Sequence, residues 1–178
     1  MNYSVFDYSQ TQQAIELCES AFTASAGEKE GQLLKLLVTK LINETPENDL
    51  FGFCSTVDHQ MVGAIFFSRL TLPDQTSGFL LSPVAIESEY QGKRVGQTLI
   101  RYGLDQLGTQ GIELVVTYGD PAFYSKIGFK QVSTELIEPP FNLSQPIGWL
   151  AQMVNGKDIK PSHGKIGCAK AFDDPSYW

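Results

Sequence analysis

The sequence of 178 residues has few of the side chains on which most metal and disulfide chemistry depends, with two histidines and three cysteines. The cysteines (Cys18, Cys54 and Cys168) are odd in number, widely separated and without a CxxC spacing. This pattern predicts reduced thiols in a cytoplasm rather than a disulfide framework. Neither His59 nor His163 has a partner ligand at a suitable spacing, so we expect no metal site.

Cations and long apolar runs are also scarce. Thirteen Lys and Arg residues stand against twenty Asp and Glu, which gives a net charge of −7. A protein that binds nucleic acid needs a basic face, so we expect no nucleic-acid partner. The apolar stretch "LLKLLVTKLI" is too short to cross a bilayer, and the N-terminus does not resemble a signal peptide. We therefore expect a cytoplasmic protein without a membrane partner.

The composition and the order of periodic segments predict a mixed α/β fold. With 42 % hydrophobic and 19 % charged residues, the chain is typical of globular proteins, and its length fits a single domain over residues 1–178. The order is strand, two helices, a run of strands, then strand, helix, strand, helix and strand. The segments are the strand "MNYSVFDY", the helices "TQQAIELCESAF" and "GQLLKLLVTKLI", the hairpin "DLFGFCSTV" and "MVGAIFFSRLTL", the buried strands "GFLLSPVAIE" and "IELVVTY", the helices "VGQTLIRYGLDQLGTQG" and "GDPAFYSKIGF", and two last strands in "IGWLAQMV" and "GKIGCAKAF".

A glycine-rich corner, "EYQGKRVGQ", follows the strand that ends at Ile86 and opens the next helix. The first N–H groups of a helix have no intrahelical acceptor, and the helix dipole adds positive charge there. Gly92 and Gly96 let the backbone approach an anion, and Lys93 and Arg94 add charge. The corner therefore fits a phosphate cradle, although a plain turn with solvated cations fits the composition equally well. The GxGxxG and GxxxxGK[ST] phosphate motifs are both missing.

The segment "VAIESEYQGKRVGQTLI" resembles the acetyl-CoA signature of the GNAT superfamily of N-acetyltransferases. That signature runs from an apolar strand into Q/R-x-x-G-x-G/A and a helix. Gln91 and Gly96 match it, whereas Arg94 stands where the family has its middle glycine. This departure implies that residue 94 has a conformation that an L-residue can hold.

A second segment, "VVTYGDPAFYSKIGF", is similar to the later GNAT pattern of strand, short helix and Y-x-x-x-G-F. Tyr124, Gly128 and Phe129 carry this similarity. The sequence "GDPAFYSKIGF" resembles in particular the YhbS-like branch of predicted acetyltransferases. The resemblance is strongest over residues 78–132. The resemblance implies a GNAT-type mixed central sheet, flanked by helices, whose two middle strands splay apart around the pantetheine arm of the cofactor.

The resemblance further implies acetyl-CoA as co-substrate and no metal. Backbone amides from Gln91 to Gly96 would hold the pyrophosphate. The strand edge from Val84 to Ile86 would bind the pantetheine amides and supply an oxyanion donor. The residues assigned to the cofactor are Val84, Ala85, Ile86, Gln91, Gly92, Lys93, Arg94, Val95, Gly96 and Gln97.

Tyr124 is the candidate general acid for the leaving thiolate, because phenol stays protonated at neutral pH. The alternative is that Tyr124 only packs beside Phe123. Glu87 and Glu89 fit solvated surface carboxylates better than a general base, and Asp120 fits a helix cap. We therefore assign no base and expect water to carry the proton of the amine.

The sequence leaves three functions open. An N-acetyltransferase that acts on a primary amine of a small molecule or peptide agrees best with both motifs. A non-catalytic CoA-binding sensor or interaction module is the main alternative, favoured by Arg94 and by the missing base. A transferase for longer acyl groups has the same motifs. Edge strands near the C-terminus favour a homodimer.

Overall fold

The computed structural model describes residues 1–178, with the side chain of His163 left outside the description. The described residues form nine strands and four α-helices joined by short 3₁₀ turns. They are β1 (Asn2–Val5), α1 (Thr11–Ala26), α2 (Glu28–Glu44), β2 (Leu50–Val57), β3 (Gln60–Leu70), β4 (Gly78–Ile86), α3 (Val95–Thr109), β5 (Leu114–Tyr118), α4 (Pro121–Tyr124), β6 (Lys130–Gln131), β7 (Ile137–Glu138), β8 (Trp149–Met153) and β9 (Ser162–Lys165).

Seven of the strands form a sheet in the order β1-β2-β3-β4-β5-β8-β6, and β7 pairs with β9 separately. The β1–β2, β5–β8 and β6–β8 pairs are antiparallel, whereas β4 and β5 are parallel. The mixed α/β fold predicted from the sequence is thus confirmed. β6, which follows β8 in this order, is one of the two edge strands of the large sheet and has only two residues. The homodimer that was expected from edge strands near the C-terminus stays a prediction.

The contacts within the chain define two compact units. The first consists of residues 1–67 and 83–103, and the second of residues 68–82 and 104–178. We describe each unit by itself. That the whole chain is one domain stays a prediction.

In the first unit, local sequence signals account for the elements. Asp58 and His59 have positive φ angles of 48° and 66°, as a tight turn between hairpin strands requires, and this confirms the hairpin of β2 and β3. Gly27, with a φ of 96°, joins α1 to α2. Its left-handed conformation ends the first helix and lets the second begin one residue later.

The first unit contains α3 up to residue 103, and the second unit contains the rest of this helix. Five apolar positions at helical spacing are all buried, with exposed fractions of 6 % or less, because they lie on one face of the helix. They are Val95, Leu99, Ile100, Leu104 and Leu107. Gly111 follows the helix with a φ of 74°, as predicted for its C-terminal stop.

In the second unit, the short helix α4 begins and ends as the sequence predicts. The Asp120 side chain accepts a hydrogen bond from the Ala122 amide at 2.8 Å, and Pro121 occupies the first helical position. A 3₁₀ turn continues α4 up to Gly128, which is left-handed with a φ of 109°. The Asp120 cap sets where α4 begins, and Gly128 sets where the turn after it ends. Tyr124 is the last residue of α4.

The prediction for the C-terminal region is only partly correct. The segment "IGWLAQMV" contains β8, as expected, but "GKIGCAKAF" is not one strand. Its start belongs to β9 in the small sheet, Gly167 forms an isolated bridge with Thr71, and Lys170–Phe172 is a 3₁₀ turn. The small sheet and β6 were both missed, because two-residue strands leave no periodic signal.

The two tryptophans of the second unit belong to the core. Trp149 is fully buried and donates to the Ile137 carbonyl at 2.9 Å. Trp178 is 5 % exposed and donates to the Phe172 carbonyl at 3.0 Å. The two rings meet edge to face at 5.9 Å, so the C-terminal residue is packed against β8.

Among the described helices, none combines the length and the apolar character that a membrane crossing requires.

Candidate functional site

The predicted cofactor residues lie on one continuous path, the end of β4, a 3₁₀ turn and the start of α3. The Glu87 amide donates to the Val62 carbonyl at 2.9 Å, which keeps the end of β4 against β3. The side-chain amide of Gln91 donates back to the Ile86 carbonyl at 2.9 Å. This bond closes the corner over the strand end, so Gln91 has a structural function that its motif position does not reveal.

Two left-handed residues shape the corner. Gly92 has a φ of 71° and Arg94 a φ of 65°. Left-handed residues next to right-handed ones turn successive backbone N–H groups toward one side, which forms a concave anion-binding nest. The expectation that residue 94 suits an L-residue is met only narrowly, because this left-handed region is allowed but strongly favours glycine. Arg94 therefore occupies a glycine-type position.

The start of α3 provides further amide donors. Thr98 donates to the Arg94 carbonyl at 3.0 Å, in the i−4 pattern of a helix. The preceding amides of Val95, Gly96 and Gln97 belong to the first turn, where N–H groups lack an intrahelical acceptor. With the helix dipole, they make the corner positively polarised.

The two cations of the corner lie at its surface. Lys93 and Arg94 are both exposed, as are Gln91 and Gly92, whereas Val95 and Gly96 are buried. The Lys93 ammonium lies 5.5 Å from the centre of the Tyr90 ring, a cation–π arrangement. The corner thus presents a rim of charge above a buried helix start, a suitable surface for a phosphate-bearing ligand.

The parallel pairing of β4 with β5 is short. Its register comprises Gly78–Leu114, Phe79–Val115 and Leu80–Val116. β4 continues beyond Leu80 to Ile86, and its residue 83 is a proline, which has no N–H to donate to a ladder. The divergence of the two strands that the family resemblance implies stays a prediction.

Tyr124 lies in the second unit with a defined surrounding. Its side chain is 9 % exposed, and its ring makes edge contacts with Phe123 at 5.0 Å and Phe129 at 5.6 Å. A Cβ on Gly119 would lie 2.7 Å from the Tyr124 Cε2 atom, so the ring packs directly on that glycine. Packing and a catalytic role are compatible for this residue.

Burial raises the pKa of Tyr124 above its ordinary value of 10.0. The side chain of Thr117 lowers the pKa, and the charge of Asp120 raises it. The net direction is upward, so the phenol holds its proton at neutral and mildly alkaline pH. A protonated phenol is the form that a general acid needs.

Other candidate groups are engaged elsewhere. The Glu87 carboxylate accepts a hydrogen bond from the Ser88 amide at 3.1 Å and caps the 3₁₀ turn, and Glu89 is exposed. Burial, followed by the charge of Asp173, raises the pKa of Cys168 to about 11, so its thiol is protonated and unreactive at neutral pH.

Among the described residues, no group of His, Cys, Asp and Glu could hold a metal ion. The side chain of His163, for which the sequence predicts no metal-ligating role, lies outside the described residues. The assignment of the cofactor residues and of Tyr124 remains a prediction from the two motifs.

Sequence reasoning missed two features of the site. Pro83 within "LSPVAI" signals that one side of β4 is not a regular ladder. Thr117 within "LVVTY" is a polar residue in an otherwise apolar strand, and it is fully buried. Both signals are visible in the sequence but become specific only when the register of β4 and β5 is known.

A family model matches just under half of the chain. Residues 47–131 match the family model described as the acetyltransferase (GNAT) domain. The chain is 33 % identical over 95 residues to YhbS of Escherichia coli K12, an uncharacterized N-acetyltransferase. This match covers 51 % of the chain and 57 % of YhbS, so the chain spans little more than half the length of this curated relative.

Two solved structures have the same fold over nearly the whole chain. The crystal structure of YhbS from Escherichia coli in complex with CoA superposes with a TM-score of 0.79 at 21 % identity, covering 97 % of this chain and 92 % of that one. A GNAT family acetyltransferase from Brucella melitensis in complex with acetyl-CoA gives a TM-score of 0.71 at 22 % identity, with 97 % of both chains covered. The expected GNAT-type fold is confirmed.

Replacing Arg94 by glycine or by alanine separates backbone strain from charge at this position. Both variants lack the guanidinium, but only glycine adopts a φ of 65° without a steric penalty from Cβ. We expect Arg94→Gly to be more stable than Arg94→Ala by about 1 kcal/mol in the free energy of unfolding, measured by urea denaturation.

The same pair of substitutions at Lys93, which is not among the residues with positive φ, is the matched control. There the alanine variant should be at least as stable as the glycine variant. Equal stabilities of Arg94→Gly and Arg94→Ala would contradict a left-handed residue 94.

Proposed function

We propose, on the basis of the match of residues 47–131 to the GNAT acetyltransferase domain, that the chain transfers an acetyl group from acetyl-CoA to a primary amine of a small molecule or peptide. The observation that carries this proposal is the corner between β4 and α3, where two left-handed residues and a helix start offer amide donors beneath two cations. The neighbours YhbS and the Brucella melitensis enzyme, solved with CoA and acetyl-CoA, support the same ligand here.

The amides of Gly92 to Gln97 would bind the pyrophosphate of the co-substrate. A doubly charged group at this place gains from the helix dipole and from the N–H groups that lack a helical acceptor. Lys93 and Arg94, being exposed, would contribute attraction that is screened by salt. Local backbone polarity thus compensates for a chain whose net charge is −7.

The end of β4 would bind the pantetheine arm. Val84, Ala85 and Ile86 lie beyond the last β4–β5 register pair, Leu80–Val116. Their backbone groups can pair with the two amides of the arm as an added strand does. One N–H of this strand would also face the oxyanion of the tetrahedral intermediate, but Pro83 cannot supply it.

The transfer itself needs little from side chains. The neutral amine attacks the thioester carbonyl, so that a C–N bond forms and the C–S bond breaks. Tyr124 gives its proton to the departing thiolate and regains one from solvent, and water accepts the proton that the amine loses. The raised pKa of Tyr124 supports the acid role, because the phenol keeps its proton at neutral pH.

We place this reaction in the cytoplasm, on the evidence of three cysteines that are free thiols in the structure. The acetyl group is preferred to longer acyl groups on the strength of the acetyl-CoA bound by the Brucella melitensis neighbour. A comparison of acyl-CoA chain lengths as substrates separates these two possibilities.

Calorimetric titration with acetyl-CoA tests the corner. We expect the wild type to bind and Gly96→Glu to bind at least about 100-fold more weakly, since two like charges at ~5 Å and an effective dielectric constant of about 20 repel by roughly 3 kcal/mol. Gly108→Glu, at an exposed position of the same helix, introduces the same charge away from the corner and should bind like the wild type.

Gly96 is buried, so circular dichroism must confirm that its variant folds. The exposed Lys93→Glu provides a second test, with an expected loss of about tenfold in affinity at low salt. Absence of binding by the folded wild type, or equal affinities in all four proteins, would contradict the proposed cradle.

Steady-state kinetics with a panel of primary amines tests Tyr124. For Tyr124→Phe we expect kcat to fall by about 10²- to 10⁴-fold, with little change in the KM for acetyl-CoA, because general-acid catalysis acts in the transition state. The midpoint of any alkaline decline of the wild-type rate that reports this phenol should lie above pH 10, because burial raises its pKa above that value.

Tyr102→Phe, which removes a half-buried phenol from α3, is the matched control and should retain wild-type kcat. Turnover that is unchanged in Tyr124→Phe would exclude this tyrosine as the acid. Binding of acetyl-CoA without turnover of any amine would favour the non-catalytic CoA-binding module.

A further inference from the structure

A cavity in the second unit is formed by the loop after β6 and by the small sheet of β7 and β9. Its volume is about 450 Å³, which falls within the roughly 300–1,000 Å³ that small-molecule pockets span. All of its described lining residues lie between residues 134 and 165, so the second unit contains the cavity by itself. None of them is among the residues assigned to the coenzyme or to the general acid.

Two opposite charges line this cavity from neighbouring strands. Glu138 in β7 and Lys165 in β9 are both lining residues, and they are register partners in the small sheet. The backbones of adjacent strands lie only about 5 Å apart. Among the described residues, however, no ion pair joins these two side chains. Both side chains are exposed, so a ligand in the cavity can reach them.

The ammonium of Lys165 lies over an aromatic ring instead. Its distance from the centre of the Phe141 ring is 5.4 Å, which is a cation–π arrangement. Phe141 is half-buried and lines the same cavity. The ring keeps the ammonium beside the cavity while the carboxylate of Glu138 stays separate from it. The cavity therefore offers one positive and one negative group to a ligand.

Three apolar residues form another part of the lining. They are Pro139, Leu143 and Pro146, and each proline ring fixes the φ angle of its own residue. The loop that carries them is attached to the end of β5, since the Tyr118 hydroxyl accepts a hydrogen bond from the Gln145 amide at 2.7 Å. A wall that is fixed in this way keeps the cavity formed before a ligand arrives, which reduces the entropy lost on binding.

We propose that this cavity binds a small zwitterion of the α-amino acid type. The carboxylate of the ligand pairs with Lys165, its ammonium pairs with Glu138, and its apolar side chain lies along the loop that carries the two prolines. One carbon atom separates the two charges of such a molecule, so residues on neighbouring strands can meet both. The inference concerns binding and does not depend on the proposed acetyl transfer.

Electrostatics favours a zwitterion over a molecule with one charge or none. A simple anion is attracted by Lys165 but repelled by the carboxylate of Glu138, and a simple cation meets the reverse. A neutral molecule removes water from both charges without an equivalent replacement. Charge-assisted hydrogen bonds to both groups compensate for that lost hydration. The termini of a longer peptide are too far apart for both partners, so a free amino acid fits best.

Titration of the ¹⁵N-labelled protein with L-leucine, followed by amide NMR without acetyl-CoA, tests this site. Isocaproate, which is leucine without its ammonium, and isoamylamine, which is leucine without its carboxylate, are the matched ligands. We expect leucine to bind with a Kd of about 1 mM and each analogue to bind at least about tenfold more weakly. The amides of residues 134–146 and 164–167 should shift, and those of residues 91–97 should not.

Glu138→Gln and Lys165→Met each remove one charge and keep the approximate size of the side chain. We expect each to weaken leucine binding by about tenfold. Glu138→Gln should bind isocaproate no more weakly than the wild type does, because the repelling carboxylate is gone. Glu135→Gln and Lys160→Met, at exposed positions outside the described lining, are the matched controls and should bind leucine like the wild type.

Four results would overturn the inference. They are a lack of saturable shifts with leucine, shifts confined to other parts of the chain, equal affinities for leucine and an analogue, and unchanged leucine binding in both Glu138→Gln and Lys165→Met. The titration contains no acetyl-CoA, so each of these results is distinct from a failure of the proposed acetyl transfer, which calorimetry with the coenzyme reveals.

Discussion

Backbone amides and carbonyls in a buried strand need hydrogen-bond partners, and this constraint is acute where the β4–β5 register ends at Leu80–Val116. Two residues at that point meet this constraint in different ways. Thr117 satisfies the carbonyl of Leu81 with its hydroxyl, and Pro83 removes one donor altogether. The backbone from Val84 to Ile86 then provides the groups that a pantetheine arm would use. The end of one ladder thus creates the proposed docking edge.

In the corner after β4, backbone N–H groups would attract an anion rather than pair with another strand. A negatively charged protein can attract an anion only locally, and in the proposed cradle backbone dipoles and turn geometry would provide most of the attraction, with two exposed cations at the rim. Arg94 in a left-handed conformation indicates a compromise. The backbone of Arg94 is strained where glycine would not be, but its side chain would place a guanidinium beside the expected pyrophosphate.

Local signals predicted most of the elements. The caps of α4, the hairpin turn at Asp58 and His59, and the buried face of α3 depend on residues close together in sequence, so pattern and chemistry suffice. Family motifs, rather than periodicity, supplied the cofactor residues and Tyr124.

The missed features depend on contacts distant in sequence. The pairing of β7 with β9 joins Ile137 to Ser162, and the Thr117 hydroxyl donates to the carbonyl of Leu81, 36 residues earlier in the chain. No local pattern encodes such a pairing. The two-residue strand β6 has the same difficulty, because its existence depends on β8.

Amide hydrogen exchange with and without CoA tests most directly the claim that this backbone binds the coenzyme. The amides of residues 84–86 and 92–97 should gain the largest protection from exchange when CoA is added. Their N–H groups would then donate to acceptors on the ligand instead of to solvent or to weak partners. The amides of α2 serve as the internal reference. Protection that is spread evenly over the chain, or that is absent from both segments, would contradict the account.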